Sequence, residues 1–312
     1  MDTELERFKT EINLSAYAAV EGYCLLKNES SKNSVAMKHP SGDKIIIARG
    51  QDNHWIYFSV RDDRDNGSII DFVQNREKCS LGTVRSILRR WTGAGAPSPA
   101  PDLFAANVQK SSKDRQAVLA ALAQMPNVTE HPYLKNQRAL TKEITGDRRF
   151  LGRVKIDRKG NAIFPHFDEE GTCGYEIKNK GFTGFSAGGD KGLWVSRCFA
   201  GDESLVIAES AIDALSFHAL YKWTNTRYVS TAGGWSPQTG NLLLKAVQEF
   251  PGSQVVLAYD NDAQGKAYET ETRGLLSGCE KMIISLYSES KDWNEDLKAS
   301  MYSSLLSKKQ EL

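Results

Sequence analysis

The alternation of hydrophobic and polar positions changes rhythm along the chain. In the C-terminal third, short apolar runs at residues 205–208, 227–230, 254–259 and 281–286 alternate with stretches of helical periodicity, the pattern of a parallel sheet with crossover helices. Before it, residues 162–167, 173–178 and 192–196 read as antiparallel strands, with DEEG at 168–171 as a hairpin turn. Near the start, residues 45–49 and 54–60 are rich in β-branched and aromatic side chains and flank a turn at 51–53. Ile69, Ile70, Phe72 and Val73 then open a helical pattern, and Val84, Ile87, Leu88 and Trp91 supply a second apolar stripe at helical spacing. Residues 117–124 form a short helix, and 126–141 a loop leading into a helical start. The stretch GAGAPSPAP at 93–101 resists regular structure and marks a linker. The chain thus divides into a small α+β module (1–92), a linker (93–115), a strand-rich segment (116–200), an α/β domain (201–298) and a tail (299–312).

Composition narrows the function classes. The 312 residues carry 40 Lys plus Arg against 39 Asp plus Glu, which argues against a protein that coats nucleic acid over its whole surface. Charge is uneven along the chain: residues 131–200 hold 13 basic and 8 acidic side chains, and residues 201–312 hold 10 and 15. Any nucleic-acid contact is therefore expected to be local, with cations of the middle set opposite acids of the last third. Five cysteines, scattered and never in a CxxC pair, give neither a disulfide framework nor a four-cysteine zinc site. No apolar run reaches the roughly 18 residues of a membrane-spanning helix, and the acidic start lacks signal-peptide character, so a cytoplasmic protein is expected.

The candidate chemistry sits where the apolar runs end. In an open α/β sheet the carboxyl ends of neighbouring strands converge on one crevice. Here 205–208 is followed by Glu209, with Asp213 one helical turn on, and 254–259 is followed by Asp260 and Asp262. The fourth run leads into KDWNEDL, which brings Lys291, Asp292 and Asp296. If the strand continued through Asp262, alternation would point Asp260 and Asp262 to the same side. Carboxylates crowded together repel unless a cation compensates them, and hard oxygen donors at that density suit Mg2+ or Mn2+. Such sites perform phosphoryl transfer. A single DxD turn or strand-end glutamate is commonplace; their succession on consecutive βα units is what points to function.

These residues resemble a known family. LVIAESAIDAL at 205–215 is similar to the strand, glutamate and helix of the Toprim domain shared by bacterial primases, topoisomerases and some nucleases, except that Ser210 stands where the family has glycine. YDNDAQGK at 259–266 resembles the Toprim aspartate motif, KDWNEDL at 291–297 the acidic stretch of the primase version, and TAGG at 231–234 the glycine-rich loop between them. Residues 150–197 resemble the strand-rich part of the bacterial primase core that precedes Toprim. Residues 12–92, including GSIIDFV at 67–73, resemble the primase zinc-ribbon module. Around 34–39 and 57–60, where zinc ligands are expected, only His39 has ligand chemistry, so no zinc is expected and the module must rely on an apolar core including Trp55, Tyr57, Phe58 and Phe72. The whole resembles stand-alone Toprim proteins of plasmids and other mobile elements.

The resemblance implies Glu209, Asp260 and Asp262 as catalytic and metal-holding residues, with Asp213, Asp292 and Asp296 in support. Lys291, Arg148, Arg149, Arg153 and Lys155 are the candidate contacts to nucleotide or nucleic acid; as surface cations they could equally be solvated, and Lys291 could pair with the acids beside it. Trp55 and Tyr57 could stack on bases or lie in the core. His218, beside Phe217, reads as packed, and neither it nor His166 makes a strong general base. Three readings follow: a Mg2+-dependent primase-like nucleotidyltransferase on single-stranded DNA or RNA, a Toprim nuclease of a mobile element or defence system, and a non-catalytic accessory protein for a helicase or another replication or defence partner.

Overall fold

Asp2 and Asn13 each turn a side-chain oxygen onto the first free amides of a helix, and so begin α1 (Thr3–Glu11) and α2 (Leu14–Val20). The computed structural model describes residues 2–50, 52–60, 65–93, 96–97, 99–110 and 112–310. Gln51 of the expected turn, parts of the glycine- and proline-rich stretch and the last two residues of the expected tail lie outside them. The chain divides into two units, Met1–Ser112 and Lys113–Leu312.

In the first unit, β1 (Cys24–Leu25), β2 (Ser34–Lys38), β3 (Lys44–Arg49), β4 (Trp55–Ser59) and β5 (Asn66–Ser68) form an antiparallel sheet in sequence order. Alternation sends Ile45, Ile47, Trp55 and Tyr57 into a core with Phe8, Tyr17 and Phe72. Ser68 and Asp71 form a capping box that starts α3 (Ile69–Glu77), and Ser80 caps α4 (Leu81–Leu88). Trp55 and Tyr57 are buried and cannot stack on bases, whereas Phe58, one residue out of phase, is exposed on the opposite face, paired across the strands with Ile46. The segment expected to be a free linker is partly folded: Val108 joins this core, and the carbonyl of Ala105 accepts hydrogen bonds from the Asn13 amide and the Ser15 hydroxyl.

The second unit opens with α5 (Arg115–Ala123), α6 (Pro132–Arg138) and α7 (Lys142–Thr145). An antiparallel sheet follows, β6 (Lys155–Ile156), β7 (Ala162–Asp168), β8 (Gly171–Asn179) and β9 (Phe182–Phe185), with the expected hairpin between β7 and β8. Next in the chain come β10 (Trp194–Val195), β11 (Ser204–Ala208), α8 (Ala211–Tyr221), β12 (Thr226–Ser230) and α9 (Pro237–Gln248). They are followed by β13 (Gln254–Ala258), α10 (Ala263–Leu275), β14 (Met282–Ser285) and α11 (Trp293–Gln310). The second sheet has the order β10-β12-β11-β13-β14, parallel throughout except for β10. Residues 192–196, expected with the upstream antiparallel strands, thus supply an edge strand to the parallel sheet. Leu193 also bridges back to Phe167. One face of the parallel sheet packs on α8 and α11 through Phe217 and Trp293, the other on α9 and α10 through Leu243 and Tyr268. The expected tail is helical as far as residue 310. Among the described residues no helix is long and apolar enough to cross a membrane.

Candidate functional site

Because β11, β12, β13 and β14 run in parallel, their carboxyl ends open on one edge. Ala208 lies opposite both Ala258 and Ser230, so Glu209 stands one step past the ladder and Asp260 two steps past it. The strand stops at Ala258 and does not carry Asp260 and Asp262 in alternation. Asp262 instead begins α10, its Oδ1 accepting from the amides of Gln264 and Gly265 at 2.9 Å. Gly265 is required: a Cβ there would fall 1.9 Å from the Asp260 carbonyl oxygen, so the first turn of α10 lies directly against the backbone that presents Asp260.

Ser210, where Toprim sequences have glycine, has an extended backbone that needs no glycine (φ −123°). Its hydroxyl accepts from the Asp213 amide and donates to the Asp213 carboxylate, capping α8. The 231–234 loop closes over Glu209, with the Gly233 amide donating to the Glu209 carbonyl at 2.9 Å. On the far side, the Asn261 amide donates to the Lys291 carbonyl at 2.7 Å and its side chain to the Ser288 carbonyl at 3.0 Å. Asp292 begins α11 by accepting from the Glu295 amide at 2.8 Å.

The electrostatics follow from this convergence. Burial, followed by the charges of Asp213, Glu209, Asp292 and Asp262, holds the Asp260 carboxyl far above the usual carboxylate range. Its Oδ1 is buried with no hydrogen-bond partner. Burial likewise raises Asp213, with Asp292 adding to the shift, while Ser210, the Asn294 amide and the Arg138 guanidinium oppose it. Lys291 Nζ stands 3.5 Å from Asp262 Oδ2. Burial pulls that ammonium down, but Asp262, Asp260 and Asp292 outweigh it and keep its pKa above the ordinary lysine value.

Glu209, Asp213, Asp260, Asp262 and Asp292 are therefore neighbours. Asp296 is not a member: its two carboxylate oxygens accept from the amides of Glu289 and Ser290 at 2.8 and 2.7 Å and fix the loop before Lys291. Three of the expected nucleic-acid contacts are also engaged elsewhere. Arg149 is buried in an ion pair with Asp202 at 2.8 Å and donates to the Thr224 carbonyl. Arg153 lies 4.3 Å from the centroid of the Phe167 ring, its pKa lowered by burial, and Lys155 donates to the Met125 carbonyl at 2.6 Å. Arg148 remains exposed, over Phe199, and borders a cavity of about 680 Å³ with His218, Lys222 and Trp223. That cavity lies at the opposite end of α8 from the carboxylates and includes none of them. His218 is packed, its Nδ1 3.1 Å from the Tyr228 hydroxyl, and His166 is fully buried.

Residue patterns did not single out a buried strut behind the acids. The Asn294 side chain donates to the Arg138 carbonyl at 2.7 Å and to Ser216 Oγ at 3.0 Å, and the Trp293 indole donates to the Ala258 carbonyl at 2.8 Å. Their neighbours in sequence, the acids of KDWNEDL, masked them.

The donors suit a hard divalent cation in kind: oxygen only, anionic, with one buried oxygen unsatisfied and an ammonium already standing beside the cluster. Among the described residues, however, no three His, Cys, Asp or Glu side chains are gathered as a ligand set, so the acids are close enough to repel one another without forming a closed coordination shell. Among the described residues His39 belongs to no group of three or more ligand side chains; its Nδ1 lies 2.7 Å from Ser41 Oγ.

A parallel α/β sheet with acids at its carboxyl edge is thus the frame of the site. A family model described as Toprim-like matches residues 206–297, so the parallel-sheet part of the chain is a Toprim-like domain. A second model, a protein family of unknown function (DUF3991), matches residues 132–203. No curated protein matches the chain. Among solved structures, the primase fragment of the bacteriophage T7 primase-helicase protein is 16% identical over 58% of this chain and 74% of that one, with a TM-score of 0.42. The zinc-binding and RNA polymerase domains of Aquifex aeolicus primase are 15% identical over 98% and 84%, with a TM-score of 0.36.

Proposed function

We propose that the protein is a divalent-metal-dependent, primase-like nucleotidyltransferase acting on single-stranded DNA or RNA in the cytoplasm. The observation that carries this reading is the buried, unsatisfied Asp260 oxygen among four further carboxylates. Glu209, Asp260 and Asp262 would hold Mg2+ or Mn2+, with Asp213 and Asp292 behind them. Such an ion, when bound, supplies Lewis-acid stabilisation of phosphoryl oxygens. Glu209, one step past the end of β11, takes the proton of the attacking hydroxyl as general base. Lys291, exposed beside Asp262, meets substrate phosphate. Trp293 and Asn294 keep water from the back of the cluster and hold α11 in place. Arg148 is the remaining exposed candidate for the nucleic-acid backbone, and the resemblance to primases makes a helicase or another replication or defence protein the expected partner.

The internal engagement of Arg149, Arg153 and Lys155 thins the surface available to hold a template, and this favours a second reading in which the same acids admit water in place of a 3′ hydroxyl, giving a nuclease. Incubation with single-stranded template, nucleotides and Mg2+ tests both. Short oligomers that disappear in Asp260→Ala and with EDTA support nucleotidyl transfer, and loss of nucleic acid without added nucleotides supports the nuclease. Neither product across varied templates, with Asp260→Ala retaining biological function, leaves a non-catalytic accessory role.

A further inference from the structure

We propose that Lys291 is an exchangeable counter-ion of the acidic cluster: its ammonium stands beside Asp262 until a divalent ion enters, then turns outward to a substrate phosphate. This rests on the metal-centre reading above and assigns the lysine two successive partners. The backbone around it is pinned. Its own carbonyl accepts from the Asn261 amide at 2.7 Å, Asp296 fixes residues 289 and 290, and Asp292 caps the helix that follows. With the main chain held, what can move is the side chain, a hydrated point charge on a flexible four-carbon stem.

The contact itself is built to be given up. Among the described residues the Lys291–Asp262 pair is the ion pair shown for Asp213, Asp260, Asp262 and Asp292, yet its separation is 3.5 Å and the lysine side chain is 67% exposed. Exposed pairs of this kind are weak and screened by salt, and a cation of twice the charge among the same oxygens displaces them. Once displaced, the ammonium stands at the N-terminal end of α11, an 18-residue helix whose free amides also favour an anion. Phosphate brought to the cluster therefore meets a charge already in reach.

The two roles give opposite signs for one substitution. Mn2+ is titrated calorimetrically into the full chain as wild type, Lys291→Met, Lys291→Arg and Asp260→Asn, and thymidine 5′-monophosphate is then titrated into the Mn2+-loaded proteins. Lys291→Met is expected to bind Mn2+ about fivefold more tightly and the nucleotide about tenfold more weakly, while Lys291→Arg stays within about twofold of wild type in both. Unchanged or weaker Mn2+ binding in Lys291→Met, or unchanged nucleotide binding, overturns the exchange while wild-type Mn2+ binding lost in Asp260→Asn preserves the metal centre. A wild type that takes up no Mn2+ overturns both.

Discussion

Each unit holds a knot of acids, and the two differ in how they are compensated. In the first unit Arg76 Nη2 stands 2.9 Å from Asp43 and 2.7 Å from Asp65, its Nε donates to the Tyr23 hydroxyl, and Tyr57 and Asn75 donate to Asp65. Although burial works against it, Arg76 leads the partners that hold Asp65 below the usual carboxylate range. In the second unit Asp262 meets Lys291, Asp213 meets Ser210 and feels the Arg138 charge, and Asp260 is driven the opposite way. Acid density is thus no mark of function; what separates the knots is whether the charges are already matched. The matched one joins the β2–β3 turn to the start of β5, close to where the zinc-ribbon resemblance places a metal, and acts as a cross-link. The other retains repulsion that, on the proposed reading, a divalent ion would relieve.

The largest expected effect breaks the first knot. Arg76→Met leaves two half-buried acids without their cation and is expected to lower unfolding free energy by about 3 kcal/mol in urea denaturation, with Mn2+ binding unaltered. A loss under about 1 kcal/mol means that the network is no cross-link. An intermediate effect comes from His166, fully buried in β7, whose pKa desolvation lowers to about 3. Below its unfolded value of about 6.5, the unfolded chain binds a proton that the folded chain refuses, so its contribution is complete above that pH and is lost as pH falls. Stability should drop by up to about 1.4 kcal/mol per pH unit between pH 6 and 4, and His166→Gln should flatten that slope in denaturation series. The smallest effect sharpens the second knot. Asp260→Asn removes a carboxyl whose ionised form burial and the neighbouring acids disfavour, and should raise metal-free stability by about 1 kcal/mol while abolishing any thermal stabilisation that Mn2+ gives wild type. A destabilised Asp260→Asn would show that the acids are matched after all.

What could be read from the residues alone was what depends on near neighbours. The apolar runs, the βα alternation and the order of Glu209, Asp260 and Asp292 are local patterns, and β11, β12, β13 and β14 stand where they predict. The roles of Arg149 and Lys155 were not legible, because their partners, Asp202 and Met125, lie 53 and 30 residues away in a basic stretch that looks like surface. Asp296 was expected as a supporting ligand from the resemblance of KDWNEDL to the acidic stretch of primases, yet its carboxylate faces back toward residues 289 and 290. Gly265 was the missed clue: a glycine in the first turn of a helix reports a close backbone approach, here to Asp260 itself.

The two-residue strand β10 gives the molecule a seam that does not coincide with its family matches. Trp194 and Val195 fall within the match at 132–203, yet they pair with Ser230 and Val229, inside the match at 206–297. An excised Toprim-like fragment would therefore leave the flank of β12 bare, a template for self-association. The segment matched at 132–203 and the acidic domain are hemmed together at this strand, so cutting between residues 203 and 206 would sever a strand pairing.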